Sequence, residues 1–223
     1  MAKSARVMIV CITAMIVICG AAVADELGIV HIHAVNANSI GHSISTGSHL
    51  GEGWVLTCGH CVRSSATGMD VEIEIYSDET GRATRTVPGT IVYFDRQSDI
   101  GLIRLRPGHA LATSYRLAPR GSVLAPGDDV IGFDWVDGPQ GEQLVAIEKK
   151  VTYINRYLGP ENIETTVRPK GGSSGGPLVL RDGGWIVGVT QGALVGSDRG
   201  LYVGLEAIYR ALENVPQEAY VHR

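Results

Sequence analysis

The chain has 223 residues, of which 44% are hydrophobic and 19% charged, and its formal net charge is −4. This apolar content is sufficient for a hydrophobic core, which argues against an intrinsically disordered chain. The negative charge supplies no basic surface, which argues against a nucleic-acid partner.

The N-terminus has the pattern of an export signal. Lys3 and Arg6 precede an apolar run over residues 7–24 that ends in Ala22-Val23-Ala24, a small-residue cleavage pattern. We therefore expect residues 1–24 to be removed, which leaves a secreted or periplasmic protein with a formal charge of −6 because Lys3 and Arg6 are lost. The alternative is a retained membrane anchor, since the run approaches the length of a spanning helix; after cleavage no membrane contact is expected.

Short apolar or alternating runs separated by turn-forming residues follow from residue 29 onward, and glycine is abundant, at 29 residues. This pattern predicts many short β-strands. In the first half the predicted strands are 29–35, 54–57, 71–76, 90–94 and 100–105. Between residues 107 and 126 Pro, Gly and Ser accumulate, which predicts a crossing segment. The second half has predicted strands at 130–133, 143–153, 163–167, 177–180, 185–190 and 201–203.

An amphipathic helix is predicted at the end of the chain, because Leu205, Ile208, Tyr209 and Leu212 recur at helical spacing. The two sets of strands divide the chain into β units at residues 25–115 and 116–223. Each unit satisfies its strand edges most simply by closing its sheet into a barrel. The sequence therefore predicts an all-β fold of two packed barrels with a cleft between them and a C-terminal α-helix, assumed to be a monomer.

His60 lies in a tight turn directly after an apolar strand, in the sequence Gly-Trp-Val-Leu-Thr-Cys-Gly-His-Cys-Val over residues 53–62. A general base needs such a rigid position within hydrogen-bond reach of its nucleophile. The other six histidines lack this setting, and we expect them to be structural or solvated: His31, His33, His42, His49, His109 and His222. His31 and His33 could face one side of a strand as metal ligands, but no third ligand is evident, so neither a metal nor a cofactor is predicted.

Asp99 precedes a strongly apolar strand, in Ser-Asp-Ile-Gly-Leu-Ile-Arg-Leu over residues 98–105. A carboxylate turned inward at this position could accept a hydrogen bond from an imidazole and stabilise the imidazolium form. Asp70 and Asp95 are the alternatives, but neither opens a run of this kind.

The segment Gly172-Ser173-Ser174-Gly175-Gly176-Pro177 places two serines among glycines. Its glycines permit a sharp turn and a close approach to a substrate, so that the backbone amides of Gly172 and Ser174 can converge on a developing oxyanion. A phosphate-binding loop is excluded because no Lys-Ser/Thr pair follows the glycines.

These three segments, in the chain order His, Asp, Ser, resemble the motifs of the chymotrypsin/trypsin-like serine proteases. The third segment matches the family's Gly-Asp-Ser-Gly-Gly-Pro at every position but one, and the spacings resemble those of compact bacterial members. The resemblance implies two six-stranded antiparallel barrels, Ser174 as nucleophile, His60 as its base, Asp99 as the residue that orients His60, and a polypeptide substrate without a cofactor. The alternative is a catalytically inactive, protease-like binding protein. An α/β-hydrolase esterase would need a Gly-x-Ser-x-Gly elbow and the order Ser, Asp, His, and neither is present.

Two departures from the family pattern concern activation. Ser173 stands where the digestive zymogens have the aspartate that pairs with a newly cut N-terminus, and residues 25–28 lack the sequence Ile-Val-Gly-Gly. We therefore expect no zymogen activation of that type.

A third departure concerns the cysteines. Loss of residues 1–24 removes Cys11 and Cys19 and leaves Cys58 and Cys61. Cys61 matches the family cysteine after the histidine, but the usual partner is missing and Cys58 replaces an alanine. Two buried thiols and a small Cys58–Cys61 bridge are both compatible with the sequence.

The resemblance also predicts substrate-binding positions. Residues 185–192, which include Thr190, resemble the strand that pairs with substrate backbone, and Arg168 takes the base of the P1 pocket, with Gly192 and Gly200 leaving that pocket open. A preference for Lys or Arg is therefore not expected, whereas charge pairing with Arg168 would favour an acidic P1 side chain. The alternative is that Arg168 is a solvated loop residue.

Overall fold

The computed structural model describes residues 26–35, 42–62, 67–77, 83–138 and 141–215, and these form two closed antiparallel barrels of six strands each. The first barrel has the strand order β1-β2-β3-β6-β5-β4 and the second the order β10-β11-β12-β9-β8-β7. Closure leaves every strand paired on both sides, which removes the exposed edges of an open sheet. The predicted fold class, two packed six-stranded barrels and a C-terminal helix, is confirmed.

The elements of the first barrel are β1 (Glu26–Val35), β2 (His42–Gly51), β3 (Trp54–Cys58), the one-turn helix α1 (Gly59–Val62), β4 (Asp70–Ser77), β5 (Ala83–Asp95) and β6 (Ile100–Leu105). The elements of the second are β7 (Asp129–Gly138), β8 (Gly141–Ile154), β9 (Asn162–Thr165), β10 (Pro177–Leu180), β11 (Ile186–Ala193), β12 (Gly200–Gly204) and the helix α2 (Leu205–Leu212). The predicted division at residues 115 and 116 falls between β6 and β7. The predicted signal, residues 1–24, lies outside the described residues.

Alternation along the strands decides which side chains enter the first core. In β1, Val30 and Ile32 are fully buried in the apolar core, and His31 and His33 alternate with them on the opposite face. β3 and β6 are apolar on both faces because the second barrel and α2 cover the outside. Each large aliphatic side chain buried in this way contributes about 1.5–3 kcal/mol relative to an exposed position.

The strand β2 (His42–Gly51) was not among the predicted strands, because its sequence is polar. Two of its buried polar side chains, those of Thr46 and His49, bond to segments outside the barrel. The Thr46 hydroxyl donates to the carbonyl of Gly172 over 2.7 Å, and a ring nitrogen of His49 lies 2.7 Å from the carbonyl of Thr113. Polar residues thus stand at positions where an isolated barrel would need apolar ones.

The predicted C-terminal helix is confirmed as α2, which contacts β5 and β6 of the first barrel and β11 and β12 of the second. Leu205, Ile208 and Leu212 are buried as predicted, whereas Tyr209 is only half-buried and its hydroxyl donates to the carbonyl of Ala118 over 2.8 Å. Within the described part of the chain, no helix has the length and apolar character needed to cross a membrane.

Candidate active site

His60 is held by two hydrogen bonds to one carboxylate. Its backbone N–H donates to Oδ1 of Asp99 over 2.7 Å, and its ring Nδ1 lies 2.9 Å from Oδ2. Gly59, directly before it, is required by close packing, because a Cβ there would lie 2.7 Å from the carbonyl oxygen of Asp95. The Cys-Gly-His turn therefore sits against the segment before β6, and Asp99 fixes both the backbone and the imidazole of His60.

Asp99 occupies a left-handed backbone conformation with φ of 56° and is 8% exposed. Such a conformation is uncommon outside glycine and aspartate or asparagine. The two alternative carboxylates have other partners. Asp95 accepts from the backbone and hydroxyl groups of Ser98, which closes the turn before β6, and Asp70 pairs with Arg106 at the surface.

The turn that carries Ser174 is clamped between the barrels. The carbonyl of Ser174 accepts from the backbone N–H of Thr46 in β2 over 2.8 Å, and the N–H of Gly175 donates to Thr190 in β11 over 2.8 Å. A Cβ on Gly175 would lie 2.2 Å from the carbonyl of Thr46, and its φ of 87° also favours glycine. The glycine in this motif is thus required by backbone contact with the first barrel.

Asp99 has the largest effect on the pKa of His60. The hydrogen bond to the Asp99 carboxylate, assisted by the Cys61 thiol, raises the pKa of His60 well above its usual value. The imidazolium form is therefore stabilised at this position.

The other ring nitrogen of His60, Nε2, lies 3.6 Å from Sγ of Cys58. Among the described residues, no hydrogen bond joins it to the hydroxyl of Ser174. Hydrogen bonds of this kind are often long or misaligned before substrate binds.

Two residues that the sequence did not single out hold the segment before Ser174. Trp135 in β7 donates from Nε1 to the hydroxyl of Thr46 over 2.8 Å, and that hydroxyl donates to the carbonyl of Gly172 over 2.7 Å. No sequence signal marked Thr46, because it lies in a polar stretch that resembles a loop. Among the described residues, the backbone amides of Gly172 and Ser174 donate to no acceptor.

The thiols of Cys58 and Cys61 are buried and are not joined by a disulfide bond. The Sγ atoms of Cys58 and Cys61 and a ring nitrogen of His60 all lie within 4.8 Å of one another. Burial raises the pKa of Cys58. The hydrogen bond between the two thiols lowers the pKa of Cys61.

The predicted substrate-binding residues fall in different settings. Arg168 is exposed and lines an open cavity of about 510 Å³, together with Lys170, Asp137 and Glu142. Gly192 faces open space, so a bound chain could approach its backbone.

Two other predicted positions are enclosed. A Cβ on Gly200 would lie 2.8 Å from the carbonyl of Val167, and Thr190 is 1% exposed. Lys149, which the sequence did not indicate, is a buried cation whose Nζ donates to that same Val167 carbonyl over 3.4 Å. Burial lowers its pKa.

A family model described as the trypsin-like peptidase domain matches residues 44–189, which include His60, Asp99 and Ser174. The chain belongs to the trypsin-like peptidase family. The predicted resemblance is thereby confirmed at the level of the family.

Relatives of this chain include putative protease Do-like 14 of Arabidopsis thaliana, which is 30% identical over 198 residues, or 83% of this chain and 44% of the relative. The chain therefore spans less than half of that curated relative. Solved structures that share the fold include the following two. The active form of the Rv3671c protease from M. tuberculosis has a TM-score of 0.69 at 18% identity, covering 87% of this chain and 84% of that one. Deg5 has a TM-score of 0.66 at 17% identity, covering 87% and 91%.

Proposed function

We propose that this trypsin-like protease is a serine endopeptidase that hydrolyses peptide bonds through His60, Asp99 and Ser174. The observation that supports this most strongly is the pair of hydrogen bonds of 2.7 and 2.9 Å from one Asp99 carboxylate to the backbone and ring of His60. This arrangement fixes the tautomer that leaves Nε2 free to accept a proton.

In the proposed reaction, Nε2 of His60 takes the proton of the Ser174 hydroxyl as Oγ attacks the scissile carbonyl. Asp99 stabilises the resulting imidazolium, which then protonates the leaving amine, and water hydrolyses the acyl-enzyme by the reverse sequence. The amides of Gly172 and Ser174 donate to the oxyanion, and one such donor contributes about 3–4 kcal/mol to transition-state stabilisation.

In this proposal, the turn before Ser174 is held in place without an ion pair to a newly cut N-terminus. Ser173 is fully buried, and the carbonyl of Gly172 is held by Thr46, which Trp135 in turn contacts. These contacts come from residues within the two barrels. We therefore propose that the enzyme is competent without chymotrypsin-type activation. The signal-like pattern over residues 1–24 supports the separate proposal that it acts as an exported protein.

A catalytically inactive binding protein is the second candidate. It is favoured by the position of His60 Nε2, which faces Cys58 Sγ at 3.6 Å rather than the hydroxyl of Ser174. For catalysis, Nε2 of His60 has to come within hydrogen-bond reach of the Ser174 hydroxyl when substrate binds.

A serine-directed fluorophosphonate probe separates the two candidates. We expect the wild-type protein to be labelled, whereas Ser174→Ala and His60→Ala are not, because the probe needs an activated hydroxyl. Ser122→Ala is the matched control, since this exposed serine bonds only within its own turn and its loss should leave labelling unchanged. Equal labelling of the wild type and Ser174→Ala would contradict the proposed nucleophile.

A further inference from the structure

Three potential metal ligands lie together on the face of the first barrel that contacts the second. His31 and His33 alternate with the core residues of β1, and Glu74 in β4 is the direct cross-strand partner of His31. The third ligand that the sequence did not reveal therefore comes from the neighbouring strand. His31, His33 and Glu74 are named here the β1–β4 cluster.

The distances within the β1–β4 cluster suit a small cation. Oε2 of Glu74 lies 2.9 Å from Nε2 of His33 and 3.8 Å from Nδ1 of His31. One potential ligand atom from each of the three residues lies within 4.8 Å of the other two. Donors at 2.0–2.1 Å from a tetrahedral zinc ion are about 3.3–3.4 Å apart. The distances of 2.9 and 3.8 Å lie on either side of this value, so small side-chain shifts would suffice for the three residues to bind an ion.

Neighbouring aromatic side chains orient the donors. The ring of His31 stacks on Trp135 of the second barrel with a centroid distance of 4.3 Å, and the Tyr76 hydroxyl donates to Oε2 of Glu74 over 3.0 Å. Contacts of this kind position the ligands in known metal sites. Among the described residues, Nε2 of His31 has no hydrogen-bond partner.

Burial differs across the cluster in a way that permits entry of an ion. The side chain of His31 is 2% exposed, whereas those of His33 and Glu74 are 23% and 29% exposed. One side is therefore enclosed by protein, and the other is open to solvent for a water ligand.

We propose that His31, His33 and Glu74 bind a zinc ion, with water in the fourth position. Two imidazoles and one carboxylate with an open position are a donor set that zinc takes in proteins. Calcium and magnesium are disfavoured because they prefer sites made of oxygen donors. The site is distinct from the catalytic residues, and the stacked ring of Trp135 connects it to the Thr46 contact with Gly172.

Zinc titration of the chelator-treated protein, followed by calorimetry and thermal unfolding, tests the site. We expect one ion per chain and a higher melting temperature with zinc. His33→Ala and Glu74→Gln should each weaken binding at least tenfold, since changes even in the second shell of a metal site cost about 10- to 100-fold. His109→Ala and Glu148→Gln are the matched controls, because neither belongs to the cluster and Glu148 lies in β8, where it pairs with Arg181. Both should leave the affinity unchanged.

Cys58, His60 and Cys61 form the competing donor set, and a Cys58→Ser/Cys61→Ser variant removes its thiolates. Zinc binding should persist in this variant. A cobalt-loaded wild-type protein should show tetrahedral d–d bands without the near-ultraviolet sulfur-to-cobalt band, a result that does not depend on any variant folding. Absence of zinc binding, its loss in the double cysteine variant, its retention in both His33→Ala and Glu74→Gln, or a sulfur-to-cobalt band would overturn the proposal.

Discussion

At the scale of single residues, Asp99 determines the behaviour of His60. One carboxylate oxygen accepts from the backbone N–H of His60 and the other from its ring, so the same side chain fixes both position and protonation. Because the hydrogen bond favours the charged ring, the neutral base is populated only at a higher pH than for a free histidine.

Asp99→Asn should therefore have two effects. We expect kcat/KM to fall by about 10³- to 10⁴-fold, because the tautomer of His60 is no longer fixed. In the wild type, activity should rise as the pH increases through the raised pKa of His60, and the variant's rise should occur at lower pH because the carboxylate that raised this pKa is gone. Profiles of kcat/KM against pH for both proteins measure the shift; coincident midpoints would contradict this account of His60.

Arg168 gives a prediction about specificity. If its exposed guanidinium pairs with an acidic P1 side chain, the wild type should cleave a peptide with Glu at P1 faster than the matched Gln peptide. Arg168→Ala should reduce this ratio by roughly 5- to 10-fold, which corresponds to about 1 kcal/mol for a partly exposed ion pair. Asp137 and Glu142 in the same cavity oppose the preference. Equal cleavage of the two peptides by the wild type would remove Arg168 from the specificity site.

At the scale of elements, β2 connects the first barrel to the turn that carries Ser174. Thr46 lies in this strand and is fully buried, and its hydroxyl accepts from Trp135 while donating to Gly172. The buried indole N–H of Trp135 and the carbonyl of half-buried Gly172 therefore depend on one hydroxyl.

Thr46→Val, which keeps the side-chain shape, should leave Trp135 Nε1 buried without an acceptor. We expect the free energy of unfolding to fall by about 1–3 kcal/mol. Because the carbonyl of Gly172 loses its donor, kcat should fall more than KM rises. Urea denaturation and steady-state kinetics measure the two effects. Thr46→Ser is the control and should retain both properties; equal losses in Ser and Val variants would assign the effect to the methyl group instead.

Most strands were predictable from sequence because their apolar alternation reflects one buried face, as in 29–35 and 100–105. The strand β2 was not, since its buried Thr46 and His49 bond to Gly172 and Thr113, which are far away in the sequence. The candidate active site likewise has residues that local sequence reveals and residues that it does not. Local motifs were sufficient to select His60, Asp99 and Ser174 as candidates, but Thr46, Trp135 and Glu74 acquire their roles only through contacts between strands.

At the scale of the whole molecule, α2 joins the two barrels. Its buried face packs against β5 and β6 on one side and β11 and β12 on the other, and Ile208 at its centre is fully buried. A helix in this position should couple the unfolding of both barrels.

Ile208→Ala should lower the free energy of unfolding by about 2–5 kcal/mol, because it removes buried methylene groups and leaves a cavity. We expect the loss in a single transition, observed in parallel by circular dichroism and by tryptophan fluorescence in urea. Arg210→Ala, at an exposed position of the same helix, is the control and should change stability by about 0.5 kcal/mol or less. Two separate transitions in the wild type would show that the barrels unfold independently.

The most direct test of the proposed catalytic unit is a comparison of kcat for peptide hydrolysis among Ser174→Ala, His60→Ala and the double variant. When two residues act as one catalytic unit, removing either one abolishes the contribution of both. Each single change should therefore lower kcat by on the order of 10⁶-fold, and the double variant should be no slower than either single variant. Losses that multiply in the double variant, or a Ser174→Ala variant that retains near wild-type turnover, would contradict catalysis by His60 and Ser174 acting together.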